Sequence, residues 1–201
     1  AGWERPLWFA PKGIEPKNEY SFFRPNWYQH TAEECRAARE GVVIIDMSSF
    51  GKTMVQGRDA CPYLQWMCAS DVDVPDGKVI YTHMLNSLGG IECDITIDRR
   101  AKDCFIVYSS ASAHWRDMNW MARHIAADRH VTVTDVTAAY SVLNVQGPKS
   151  RDLLQSLTDA DLSNQAFPFM TAQEIDIGYA RVLAKRLTFI GELGWELQIP
   201  S

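Results

Sequence analysis

Two carboxylates stand where their chemistry would be useful. In "LGGIECDITID", Asp94 follows the Gly89-Gly90 pair on a run whose other face is Ile91, Cys93, Ile95 and Ile97, and it shares its own face with Glu92, Thr96 and Asp98. A carboxylate there can accept a proton or orient an amine if something covers the face. With nothing over it, Asp94 is a solvated strand residue. In "FIGELGWEL", Glu192 lies between Gly191 and Gly194 in a tight turn that leads into Trp195. A carboxylate can accept two parallel N–H bonds from an amino-pyrimidinone edge, while the plain alternative is a glycine turn with its acid in water. Strand alternation in "YTHML" puts Thr82 and Met84 on one face and Tyr81, His83 and Leu85 on the other. Met and Tyr beside a carboxylate suit a pocket for a flat ring, and core packing is the competing use. In "NVQGP", the Gly147-Pro148 pair is explained by a helix start alone.

Other chemistries lose their anchors. The chain has no G-x-G-x-x-G after a strand, no G-x-x-x-x-G-K-[ST], no H-E-x-x-H and no G-x-S-x-G. The five histidines, His30, His83, His114, His124 and His130, show no ligand spacing, so no metal is expected. Cys35, Cys61, Cys68, Cys93 and Cys104 are odd in number and form no C-x-x-C, which argues against a disulfide framework or a zinc site and fits a reducing compartment. A formal charge of -5 without clustered Lys and Arg argues against nucleic acid as a partner. No apolar run approaches the ~20 residues of a membrane span, and no secretory segment opens the chain. The expected location is the cytoplasm if the source is bacterial and the mitochondrial matrix if it is eukaryotic.

These residues need a scaffold, and 201 residues with 46% apolar and 22% charged content can bury one substantial core. Residues 1–30 form an aromatic arm, with Trp3, Trp8, Phe9, Tyr20, Phe22, Phe23, Trp27 and Tyr28 punctuated by Pro6, Pro11, Pro16 and Pro25, and it is expected to pack over something. Thr31 to Glu34 has capping-box spacing ahead of a short helix to about Glu40. Strands are expected at "VVIIDM", "GKTMVQG", "KVIYTHML", "GIECDITI" and "CFIVYS", with a hairpin turn at Asn86 to Gly90. Asp59 is the expected cap of one helix; Ser112 is that of another, whose inner face is Trp115, Met118, Ala122 and Ile125. The order then recurs. "VTVTDV" and "YSVLNVQG" lead to a helix with Pro148 at its first position and Leu153, Leu154 and Leu157 inside, then to "AQEIDIG", "VLAKRLTFIG" and "WELQIP". The fold class is α+β, two similar and mainly antiparallel β/α units. The second unit lacks its closing helix, so the natural domain is expected to continue past Ser201.

Four ordered stretches, "MLNSLGGIECDIT", "DVTAAYSVLNVQGPKSRDLL", "DADLSNQAFPF" and "RLTFIGELGWELQIP", together resemble the folate-binding region of the aminomethyltransferase superfamily, which includes the glycine cleavage T-protein. The likeness is greatest to the carboxy-terminal half of sarcosine and dimethylglycine dehydrogenases and covers about Asn18 to Pro200, so residues 31–201 are expected to be the folate-binding unit. The resemblance implies tetrahydrofolate as cofactor and roles residue by residue. Asp94 would activate N10 of the folate for attack on an iminium or methylene carrier. Glu192 would hold the pterin edge, and Tyr81, Met84 and Phe50 would wall the ring. Ser110 stands where T-proteins have an asparagine, which alters a folate hydrogen bond there. Cys93 precedes Asp94 where T-proteins carry a second acid. The resemblance further implies that FAD and the flavin-dehydrogenase half that oxidises the amine belong to a parent protein and not to this chain. A terminal β-barrel is also expected outside it, so these 201 residues alone should bind folate weakly. Two other readings fit the same stretches: a non-catalytic relative like the regulatory subunit of pyruvate dehydrogenase phosphatase, and a stand-alone aminomethyltransferase.

Overall fold

The computed structural model describes residues 2–201. In chain order the elements are α1 (Tyr28–Glu40), β1 (Val43–Asp46), β2 (Gly51–Gln56), α2 (Ala60–Met67), β3 (Val79–Leu85), β4 (Ile91–Ala101), β5 (Cys104–Ser109), α3 (His114–Arg123), β6 (Thr132–Asp135), β7 (Tyr140–Gln146), α4 (Ser150–Gln155), β8 (Thr171–Ile177), β9 (Ala180–Arg186) and β10 (Gly194–Pro200). The ten strands make two antiparallel five-stranded sheets, ordered β3-β4-β5-β2-β6 and β1-β7-β10-β9-β8. Raising each number by five turns β3-β4-β5-β2 into β8-β9-β10-β7, so the α+β repeat holds strand for strand. The leading strands are exchanged. β1 pairs with β7 in the second sheet, and β6 pairs with β2 in the first.

Each sheet buries one face under its own helices. Val55, Ile80, Met84, Cys93, Ile95, Ile97, Phe105 and Val107 pack with Leu64 of α2 and Met121 of α3, and Val145, Ile175, Val182, Ala184, Trp195 and Leu197 pack with Leu154 of α4. The remaining faces meet along a polar seam in which Lys52, Asp98, Asn144, Gln146, Lys185 and Gln198 are all buried. Tyr108 crosses it, its hydroxyl 2.7 Å from both Asp98 Oδ2 and Gln198 Oε1. Lys185 Nζ lies 3.3 Å from the centre of the Tyr108 ring and pairs with Glu196.

Helix boundaries differ from the sequence expectation in three helices, and in a fourth only the capping contact differs. α1 begins at Tyr28, and the Thr31 amide already donates to the Trp27 carbonyl at 3.0 Å, so Thr31 lies inside the helix and forms no capping box. At the start of α2 Asp59 does hold the cap position, but its carboxylate accepts from the His130 amide at 2.8 Å and not from an amide of the helix. In α3 the cap position is Ala113 and the buried residues are His114, Asp117 and Met121. Trp115 is 60% exposed because polar contacts of His114 set the helix phase one residue away from the apolar stripe. Pro148 lies two residues ahead of α4, and Leu157 is exposed because α4 ends at Gln155. Residues 2–27 of the arm form no helix or strand, and its last three residues open α1. Trp8 stacks on His30 at 5.6 Å, but Tyr20, Phe22 and Phe23 face solvent, so the expected packing is partial.

Candidate functional site

The turn that delivers Asp94 is built by one asparagine. Asn86 Oδ1 accepts from the amides of Leu88 (3.0 Å) and Gly90 (2.9 Å), while its Nδ2 donates to Glu92 at 2.9 Å. The hairpin register then sets Tyr81 opposite Thr96 and His83 opposite Asp94. Thr96 pairs with Tyr108, and Tyr108 with Lys52. One row across the first sheet therefore reads Tyr81, Thr96, Tyr108, Lys52, all pointing away from the apolar core. One pleat further, Asp94 and His83 occupy the next row. Ser110 and Phe50 follow directly on the paired Ser109 and Gly51, on that same side of the alternation. The second sheet covers the Tyr108 end of this face and leaves an open ledge, where the Asp94 side chain is 63% exposed.

On the ledge, His83 Nε2 lies 3.7 Å from Asp94 Oδ1 and 3.3 Å from the Tyr81 hydroxyl. The two rings meet edge to face at 5.2 Å. Hydrogen bonding to Asp94, then desolvation, raises the Tyr81 pKa above that of an ordinary phenol. The other end of the row meets the β9–β10 turn, where Phe50 packs edge-on against Phe189 at 6.2 Å. Three residues on, Glu192 Oε1 accepts from Arg39 Nη1 at 2.7 Å, and the same guanidinium donates to the Ile190 carbonyl at 3.2 Å. Gly191 adopts φ +83°, so it does supply an unusual dihedral. Gly194 has a different reason: a Cβ there would come within 2.4 Å of the Gln146 side chain.

Two buried groups behind the ledge have no signature in the sequence. Lys52 Nζ donates to the carbonyls of Ser48 (2.9 Å), Phe50 (3.1 Å) and Thr137 (3.3 Å), and burial lowers its pKa to about 8. His114 joins Ser109 Oγ (3.4 Å) at Nδ1 to Asp135 Oδ1 (3.1 Å) at Nε2. For Asp135, burial works to raise the pKa, but hydrogen bonds from Thr137 and His114 outweigh it and the net shift is downward. Ser109 is buried to 3% exposure, so this chain of contacts ties β5, α3 and β6 together and offers no open nucleophile. Only the ladder register aligns its members.

Residues 1–201 match the GCVT N-terminal domain. The chain belongs to this aminomethyltransferase family. Among its relatives, 4-methylaminobutanoate oxidase (formaldehyde-forming) of Paenarthrobacter nicotinovorans is 39% identical over 196 residues, 98% of this chain and 24% of that protein. Mitochondrial sarcosine dehydrogenase of Mus musculus is 34% identical over 239 residues, 99% of this chain and 26% of that protein. The chain thus spans about a quarter of the length of these relatives. The crystal structure of the glycine cleavage system aminomethyltransferase T from Bartonella henselae superposes with a TM-score of 0.71 at 24% identity, covering 84% of this chain and 44% of that one, and shows the shared fold.

In this GCVT domain the expected site residues divide. Asp94, Tyr81, Ser110 and Phe50 share one face of one sheet, and Phe50 links that face to the turn bearing Glu192. Met84 does not join them. It is fully buried on the opposite face, among Leu64, Cys93 and Ile95, because the alternation that exposes Tyr81 turns Met84 inward. The expectation that Met84 walls a ligand beside Tyr81 is therefore corrected: it is a core residue. His83, beside Asp94, was not expected at the site, although alternation already set it beside Tyr81. Among the described residues, no helix is long and apolar enough to cross a membrane.

Proposed function

We propose that this chain is the tetrahydrofolate-binding module of a methylamine-oxidising protein and that it captures the released one-carbon unit as 5,10-methylene-tetrahydrofolate. The observation that carries this reading is the shared face, where Asp94, Ser110, Tyr81 and Phe50 stand in two adjoining rows that run up to the Glu192 turn. The donor set fits a pterin: aromatic walls, one carboxylate for a pair of parallel N–H donors and a second beside the reacting nitrogens. When bound, tetrahydrofolate supplies the two nitrogens that take up the carbon. Phe50 and Tyr81 bracket the ring, and the Ser110 hydroxyl donates or accepts at its edge. Glu192 accepts from the amino-pyrimidinone edge. Its pair with Arg39, whose side chain is 62% exposed, is the type worth about 0–1 kcal/mol and yields readily to a better donor pair. Asp94 accepts a proton from the nitrogen that attacks the carbon.

The relative whose name states that it forms formaldehyde supports the origin of the carbon. FAD and the amine site lie in the dehydrogenase half of the parent protein, which is the partner of this module. Calorimetry with tetrahydrofolate on the full-length protein tests the reading. Glu192→Ala removes two charge-assisted hydrogen bonds and is expected to weaken binding by about one to two orders of magnitude. Asp94→Asn is expected to keep the affinity and lower methylene transfer by about 100-fold or more. Unchanged affinity in the first variant and unchanged transfer in the second would remove these assignments.

A further inference from the structure

His83 faces two groups on the ledge: Tyr81 from its own strand and Asp94 from β4. The next acid along β4, Glu92, is held by Asn86. The segment after α2 that flanks β3 brings backbone and the Ser70 hydroxyl, and its Cys68 turns to the core. The side chain is one-third exposed, at 32%, so the imidazole stands between the carboxylate and water.

The chemistry of the proposed reaction gives that position a use. Joining formaldehyde to two N–H groups yields N–CH2–N and one water: two N–H bonds and the C=O bond break, two C–N bonds form, and no oxidant or reductant is needed. Two protons leave nitrogen and the departing oxygen takes up two to leave as water, so a proton released to solvent from Asp94 is matched by one drawn from solvent at that oxygen. A carboxylate that accepts one of them must be emptied before the next turnover. We propose that His83 is the proton-relay residue of this site, receiving the proton at Nε2 from Asp94 and passing it to the water that its exposed side meets. As a class, imidazoles are stronger bases than carboxylates, which suits them to take a proton from a carboxyl group. The 3.7 Å gap closes by rotation of side chains that are not packed in. His83 acts through Asp94 and touches no reacting atom, so it is a positioning residue, and the inference rests on the folate reading of Asp94.

Two variants of the full-length protein test it. In His83→Gln, methylene transfer is expected to fall about ten- to a hundredfold, less than for a direct proton acceptor because water reaches Asp94. One ionisation should disappear from its rate profile while tetrahydrofolate affinity stays put. In His83→Ala, added imidazole should restore part of the rate. A His83→Gln profile parallel to that of the unsubstituted protein, or a His83→Ala rate that added imidazole does not raise, overturns the relay. If Asp94→Asn stops transfer while His83→Gln keeps the original profile, only the relay falls. Transfer that survives Asp94→Asn overturns the folate reading and the relay with it.

Discussion

Met84 and Tyr81 are three residues apart on one strand, yet they live in different environments. Tyr81 is 56% exposed beside Asp94, and Met84 is fully enclosed in the first core. Period-two alternation separates them without any help from tertiary structure. A resemblance that assigns both to one ring overrides what the strand itself dictates, and the strand prevails. Truncating a buried Met leaves a cavity and typically costs about 2–5 kcal/mol. Met84→Ala is therefore expected to lower the urea midpoint markedly while calorimetry returns the original tetrahydrofolate affinity at a temperature where the variant is folded. A loss of affinity without a loss of stability would instead put Met84 against the ligand.

At the level of elements, the strands and their hairpin were legible because their pattern is local. Asn86, the glycines and the alternating isoleucines specify the β3–β4 hairpin over a span of about twenty residues, and the second unit repeats the strand order. Helix starts were less legible, since caps were expected from residue type whereas the polar side chains found tertiary partners: Asp59 binds His130, and His114 binds Asp135. The phase of α3 illustrates the cause. His114 is drawn against Gly51, where a Cβ would stand 2.0 Å from its Nδ1, so the missing side chain at the head of β2 decides which face of a helix sixty residues later is buried. Gly51→Ala must displace His114 and break its bridge from Ser109 to Asp135. The expected cost is about 1–3 kcal/mol, the range for overpacking a tight site. Thermal denaturation measures it, and a variant that melts with the original protein would show that His114 does not set the phase of α3.

At the scale of the molecule, the feature invisible in the sequence is the exchange of leading strands between the sheets. Two connections carry the chain across, Met47–Phe50 from β1 to β2 and Val136–Ala139 from β6 to β7. Both are fastened by Lys52, whose Nζ binds carbonyls of the first connection at Ser48 and Phe50 and of the second at Thr137. A buried ammonium that meets only carbonyls keeps part of its desolvation cost, which is why its pKa falls from 10.5 to about 8. The sign follows from proton counts. Below pH 8 Lys52 is charged in folded and unfolded chains alike, so stability does not change on its account. Between pH 8 and the unfolded value the unfolded chain binds more protons, so stability rises with pH. An opposite effect overlaps this range, because burial pushes the Cys68 and Cys93 thiols up to about 12 and raises those of Cys61 and Cys104, while unfolded thiols titrate around 9. Between pH 8 and 9 Lys52 is expected to contribute about 1 kcal/mol to the unfolding free energy, read as the difference between the original protein and a variant without the ammonium, since the thiols act alike in both. Urea titrations at both pH values check this, with Lys52→Met as the control: its baseline will differ because three carbonyls lose a donor, and its stability should fall from pH 8 to 9 by about 1 kcal/mol more than that of the original protein. An equal change in the two proteins would assign the effect to another group and leave the two connections without a charged clasp.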